Sequence, residues 1–164
     1  FDNVLVPKDR IVGEPGNGWQ QVTSELAYER SGPERFLSSF RVFVELVRIC
    51  GDNPSPHQAA AIGRIASHFM TLRRMSLSVA GMLEAGKDVG VEAALVKELG
   101  NNFEKVLPEI ARLVVPDLSA VDAERQRLFR ETFEETLMLS PSFTLRGGTR
   151  EILRGVIARG LGLR

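Results

Sequence analysis

Hydrophobic positions recur every three to four residues through most of this chain, the period of a helix with one inward face. The first run starts at Trp19 and passes through Val22, Leu26, Phe36, Phe40, Phe43, Val44, Val47 and Ile49. Gly32-Pro33 interrupts it. Proline lacks a backbone donor and clashes with the preceding turn, which predicts a kink or two helices that nearly join. After the break at Gly51-Asp52-Asn53-Pro54-Ser55-Pro56, a second helix is predicted from about His57 to Glu84, with Ile62, Ile65, Phe69, Leu72, Met75, Leu77, Val79 and Leu83 apolar. A third is predicted from about Val91 to Val115, on a stripe of Leu95, Leu99, Phe103, Val106, Leu107, Ile110, Leu113 and Val114. Pro108 inside it predicts a bend or a lost hydrogen bond. The fourth runs from about Asp122 to Leu139, with Leu128, Phe129, Phe133, Leu137 and Met138 as its apolar face. A shorter fifth follows Gly148, carrying Ile152, Leu153, Val156, Ile157 and Leu161.

Long amphipathic helices joined by short breaks predict an all-α protein, an up-down four-helix bundle with a short C-terminal helix. Nothing after residue 13 alternates with period two, and there is no internal repeat or low-complexity tract. Ahead of the bundle, Phe1-Asp2-Asn3-Val4-Leu5-Val6-Pro7 reads as one strand, followed by the turn-rich Gly13-Glu14-Pro15-Gly16-Asn17-Gly18. A lone strand has no pairing partner. The expectation is therefore a piece of a longer protein, with residues 1–15 a strand and connector ahead of a bundle at residues 16–164.

Charge and composition narrow the chemistry. The chain has 164 residues, enough for one domain with a real core. Lys plus Arg and Asp plus Glu each number 21, so the net charge is zero. That argues against a charge-dominated grip on nucleic acid and against a polybasic membrane patch. No apolar run approaches the roughly 18–20 residues of a membrane span. Cys50 is the one cysteine; it is read as a small hydrophobe, and a reducing cytoplasm is the simple inference. His57 and His68 have no cysteine at ligand spacing, so no metal site is expected. His57 and the Arg73-Arg74 pair are read as surface residues. His68 is read as a satisfied or exposed histidine. Met70, Met75 and Met82 are read as core fillers.

One short stretch carries candidate chemistry: Gly147-Gly148-Thr149-Arg150-Glu151-Ile152-Leu153-Arg154. Two glycines allow a close backbone approach or positive φ. A helix start beyond them offers backbone N–H groups to an anionic ligand. From these residues alone, an ordinary capped helix is the simpler explanation, with Thr149 as N-cap and Glu151 as a first-turn carboxylate.

The two ends of the chain together point further. Phe1 to Pro7, followed by Val12-Gly13-Glu14-Pro15-Gly16-Asn17-Gly18-Trp19, resembles the close of the middle β domain in flavin-dependent acyl-CoA dehydrogenases. Gly147 to Arg154, followed by Ile157-Ala158-Arg159-Gly160-Leu161-Gly162-Leu163, resembles the signature that closes the C-terminal domain of that family. The resemblance implies the C-terminal bundle of an enzyme that dehydrogenates acyl-CoA thioesters between the α and β carbons. It implies FAD as cofactor, electron-transfer flavoprotein as acceptor, and homo- or hetero-oligomers built through the bundle. Gly147, Gly148, Thr149 and Glu151 match positions that contact the flavin dinucleotide in relatives.

The reaction needs one carboxylate above the substrate α carbon, in a desolvated pocket. In many members that base is a Glu two residues before the signature Thr. This chain has Gly147 there, and glycine takes no proton. Other members carry the base near the start of the bundle's first helix, just before an Arg. Leu26-Ala27-Tyr28-Glu29-Arg30 matches that pattern, which makes Glu29 the candidate base. Arg30 is expected as a structural or pocket electrostatic group, since guanidinium does not titrate. Tyr28 is expected in the core or lining the substrate pocket. Gly147 implies extra room, and hence a branched or bulky acyl group. The chain lacks the Gln-rich, double-glycine loop and the Arg-x-x-Phe segment that serve FAD across the family's dimer interface. A non-catalytic partner subunit of the same fold and a plain helical interaction module therefore remain as alternatives.

Overall fold

The computed structural model describes residues 1–163; the bundle boundary predicted at residue 164 lies outside the described residues. Helices follow in the order α1 (Gly18–Ser31), α2 (Glu34–Leu37), α3 (Phe40–Cys50), α4 (Pro56–Glu84), α5 (Gly90–Val114), α6 (Ala123–Phe143) and α7 (Arg150–Gly160). The first predicted run is thus three pieces. Pro33 separates α1 from α2, and the chain bends again at Ser38–Ser39 before α3. Ser55 starts α4 with a capping box: its Oγ accepts from the Gln58 N–H, and the Gln58 side chain accepts from the Ser55 N–H. Pro56 follows at the first helical position, where a missing N–H costs nothing. Asp122 caps α6 by accepting from the Arg125 N–H at 3.0 Å.

The strand predicted at residues 1–7 does not form. No strand occurs among the described residues, and residues 1–20 are all exposed. A strand is a pairing relation, and a single extended segment with no neighbour has no ladder to join.

Helix α5 is the central element; α1, α2, α3, α4, α6 and α7 all pack against it. One apolar cluster joins Val42, Leu46 and Ile49 of α3, Ile65, Phe69 and Leu72 of α4, Phe103, Leu107 and Ala111 of α5 and Phe129 of α6. A smaller one joins Val79 at the end of α4 to Val89, Ala93 and Val96. Phe69 sits edge-on to Phe40 and Phe103, with ring centroids 5.1 and 4.7 Å apart.

The inner face of α5 keeps Phe103, Leu107 and Val114 of the predicted apolar stripe but not the whole of it. Leu99, Val106 and Leu113 are exposed, Leu113 by 72%. Ala93, Lys97, Gly100, Glu104, Leu107 and Ala111 are buried instead, and this stripe steps by four and three residues. Helix α6 likewise keeps Phe129 in the core and adds polar residues to its inner face. Thr132, Thr136 and Ser140 face inward, while Met138 is 79% exposed. Trp19 and Val22 of the first predicted stripe are also exposed. Both Pro108 and Pro141 sit inside continuous helices. Cys50 and Met75 are half-buried, whereas His57, His68 and Met70 are exposed; His68 stacks on the Phe103 ring at 5.2 Å.

Gly100 fixes how closely α2 approaches α5. A Cβ at this position would stand 2.6 Å from the Arg35 carbonyl oxygen and 3.1 Å from the Arg35 Cβ. The obstacle is backbone, so no rotamer change relieves it. Gly100→Ala is expected to push α2 outward and to lower stability by about 1–3 kcal/mol, the range for overpacking a tight core; urea unfolding monitored by circular dichroism measures it.

Candidate functional site

The end of α1, the middle of α5 and the loop between α6 and α7 converge on one place. Helix α6 ends at Phe143, and residues 144–149 turn through Gly147 (φ +69°) and Gly148 (φ +107°) into α7. Both angles belong to the left-handed region that glycine enters freely. Arg30, on the last turn of α1, donates from Nε to the Gly147 carbonyl at 2.9 Å. Partial burial lowers the Arg30 pKa, and the neighbouring Glu29 carboxylate opposes that shift.

This clamp brings Glu29 against the glycine. A Cβ built on Gly147 would lie 3.3 Å from Glu29 Oε1 and 3.3 Å from Lys97 Cε. The half-buried Glu29 carboxylate therefore occupies the place to which a side chain at position 147 would point. The room expected beside Gly147 is filled by Glu29 and Lys97. Tyr28, one residue earlier, is 64% exposed and lies outside the core. It lines a shallow cleft with Pro33, Ser76, Ala80 and Leu83.

Thr149 occupies the N-cap position of α7 without capping it through its side chain. The exposed Glu151 carboxylate is held below the usual carboxylate range, first by its own backbone N–H and then by the Thr149 hydroxyl. Arg150 and Arg154 both turn to Glu98 on α5, at 2.8 and 3.0 Å. These ion pairs and buried Leu153 seat α7 on the bundle.

Behind the glycine turn lies a group of buried charges that sequence reasoning missed. Arg35, Lys97 and Glu104 are fully buried. Lys97 Nζ donates to Asn101 Oδ1 and, at 2.8 Å, to the Phe143 carbonyl. Arg146 reaches in from the loop, donating to Ser38 Oγ at 2.8 Å and pairing with Glu104 Oε1 at 3.1 Å. Its guanidinium also lies 4.7 Å from the centre of the Phe143 ring. Arg35 pairs with Glu34 at 3.1 Å. Burial raises the Glu104 pKa to about 7 against the pull of Arg146, Lys97 and Arg35. The signal for this cluster was the four-three spacing of Lys97, Gly100 and Glu104 between Ala93 and Leu107, which places them on one helix face.

Clefts elsewhere on the surface include an apolar groove of about 570 Å³ between α2 and α4, lined by Phe36, Leu37, Phe40, Met70 and Leu77. Among the described residues no three His, Cys, Asp or Glu side chains gather closely enough to hold a metal, and no helix is long and apolar enough to cross a membrane.

Comparison with known proteins follows this geometry. No protein-family model matches the sequence. Acyl-CoA dehydrogenase FadE34 of Mycobacterium tuberculosis is 27% identical over 98% of the chain. Acyl-CoA dehydrogenase IpdE1 of Mycolicibacterium smegmatis is 26% identical over 99%, and IpdE1 of M. tuberculosis is 28% identical over 99%. The solved structure of a glutaryl-coenzyme A dehydrogenase–glutaryl-CoA complex superposes with a TM-score of 0.71 at 18% identity, covering 97% of the chain. The chain is related to the C-terminal helical part of acyl-CoA dehydrogenases. It spans 22% to 43% of the length of these curated acyl-CoA dehydrogenases and 42% of the solved structure. The all-helical fold is that of the acyl-CoA dehydrogenase C-terminal domain.

The buried charges give a stability test. Removing the Glu104 carboxylate leaves Arg146 and Lys97 without their buried counter-charge. Breaking one partner out of such a pair costs about 3–5 kcal/mol. Glu104→Ala is expected to lose that much in chemical denaturation, with Glu104→Gln losing less because it keeps an acceptor for Arg146.

Proposed function

We propose that this chain is the catalytic C-terminal domain of a flavin-dependent acyl-CoA dehydrogenase, with Glu29 as the base that removes the substrate α proton. One observation carries the reading. Position 147, where many acyl-CoA dehydrogenases resemble one another in bearing the base, is glycine, and Glu29 Oε1 stands 3.3 Å from where a Cβ there would be. Glu29, 118 residues away in sequence, thus sets its carboxyl group beside position 147. The relatives named acyl-CoA dehydrogenase and the shared fold support the reaction class.

The residues present fit contact with one edge of FAD. Thr149 leaves the first-turn N–H groups of α7 without a side-chain cap, and Gly147 and Gly148 offer bare backbone before them. Gly147, Gly148, Thr149 and Glu151 are the residues that would hold it. When bound, the flavin supplies an acceptor for the hydrogen that leaves the substrate β carbon as hydride. The chain's own part is proton removal. A Glu29 oxygen takes the α proton; Arg30 holds α1 against the Gly147 carbonyl and keeps that oxygen in place. Arg30 and Tyr28 flank the base and belong to the acyl-CoA side of the site in this reading. Electron-transfer flavoprotein as acceptor, a cytoplasmic location, residues 1–15 as the close of a β domain, and oligomers through the bundle complete it. The exposed Leu37, Met70 and Leu77 on one bundle face support the last of these.

Glu29→Gln in the full-length protein is expected to keep its flavin absorbance and to lower acyl-CoA turnover with an artificial electron acceptor by at least about 100-fold, the lower end for loss of a general base. Unchanged turnover would place the base elsewhere and make this chain a partner subunit that supplies interface and cofactor contacts only.

A further inference from the structure

Across Gly147 from Glu29 stands a second buried charge that this mechanism leaves unused. Glu29 Oε1 and Lys97 Cε are each 3.3 Å from the same point beside Gly147, so they lie within twice that distance of one another. Lys97 is fully buried. A methionine or leucine would fill similar volume without the cost of desolvating an ammonium group, so packing does not explain the lysine. Its Nζ donates to the carbonyl of Phe143, the residue at which α6 ends and the glycine turn begins. The turn is therefore held at both ends, by Lys97 at the Phe143 carbonyl and by Arg30 at the Gly147 carbonyl.

We infer that Lys97 is a positioning residue for Glu29: its ammonium anchors the glycine turn from inside the bundle and sets one positive charge beside the carboxylate. The inference rests on the reading of Glu29 as the base. Charged groups face Lys97 from every side of the cluster. Glu29 comes from α1, Arg35 from α2, Glu104 from two turns further along α5 and Arg146 from the loop. The two carboxylates favour the ammonium, while the two guanidinium groups oppose it. Burial opposes it most and brings the Lys97 pKa down to about 8. The positive charge is thus complete well below pH 8 and disappears as the pH rises through that value. Catalysis that depends on it falls over the same range.

The test uses the full-length, flavin-loaded protein as wild type, Lys97→Met, Lys97→Gln and Glu29→Gln. Steady-state kcat and KM on an acyl-CoA are measured between about pH 6 and pH 10, with flavin content and melting temperature recorded for each. Wild-type kcat is expected to decline with a midpoint near pH 8, with KM changing by less than about twofold. Both Lys97 variants are expected to lose that alkaline decline and to run about tenfold or more below wild type at neutral pH. If Lys97→Met loses its flavin, Lys97→Gln, which keeps a donor for the Phe143 carbonyl without the charge, carries the comparison. Wild-type kcat that stays flat through pH 8 overturns the inference with no variant needed. So does an alkaline decline that persists unchanged in the variants. Glu29→Gln separates the two readings. Full turnover there removes the base itself, whereas inactivity there beside unaltered Lys97 profiles removes the positioning role alone.

Discussion

Burying charge along one face of α5 is the constraint on which the rest of the structure depends. Lys97 and Glu104 sit one helical step apart on each side of Gly100, in the packed centre of the bundle. Buried charges persist only where partners and hydrogen bonds meet them. Arg146 from the loop after α6 pairs with Glu104, Asn101 and the Phe143 carbonyl at the end of α6 accept from Lys97, and the Arg35 charge on α2 favours an ionised Glu104. Each can reach only if its own segment lies correctly. Gly100 lets α2 close to contact distance, and the break at Pro33 lets α2 turn to meet it. The polar cluster thereby sets the relative placement of three segments that apolar packing alone would leave free to slide.

The apolar clusters are arranged around that requirement. The larger one fills the end of the bundle built from α3, α4, α6 and the second half of α5. The smaller one closes the other end, near the start of α5. Between them the helix carries Lys97, Gly100, Asn101 and Glu104, and the glycine turn is fastened there. The site thus stands at the junction of α1, α5 and the turn, on rigid elements rather than on a free loop. Helix α7 adds a second fastening, because Arg150 and Arg154 both reach Glu98 one residue beyond Lys97. The glycine turn is held from within by Lys97 and Arg30 and at its far end by these pairs.

Position 29 carries a carboxylate and position 147 carries none. The two positions are neighbours in space, and glycine at one leaves the other's side chain room to enter. The Arg30 hydrogen bond to the Gly147 carbonyl makes the neighbourhood a fixed contact. The relation to acyl-CoA dehydrogenases then has a local meaning as well as a global one. What the chain shares with the solved glutaryl-coenzyme A dehydrogenase structure is the helical framework, and in this chain that framework brings the end of α1 and the glycine turn to the same point.

The sequence by itself determined the helices and their limits. Periodicity and breakers placed α4, α5 and α7 almost to the residue, because Pro56, Gly90 and Gly148 act locally. The glycine signature was legible in it, while Glu29 was singled out only through the resemblance to acyl-CoA dehydrogenases, by the Glu29-Arg30 pair. The sequence marked Phe103, Leu107 and Phe129 for the core, but it did not determine which other residues of α5 and α6 turn inward. Large apolar residues marked Leu99, Val106, Leu113 and Met138, yet the bundle buries Lys97, Glu104, Thr132 and Thr136. Hydrophobicity along a helix is a local quantity, while burial depends on what every other helix presents. Lys97 is inward-facing because the Phe143 carbonyl of α6 comes to meet it beside Asn101 of its own helix. The strand expected at residues 1–7 was lost for the same reason, since pairing needs a partner that local sequence cannot supply. Only the tertiary structure could decide these points, because each is a relation between segments distant in the chain.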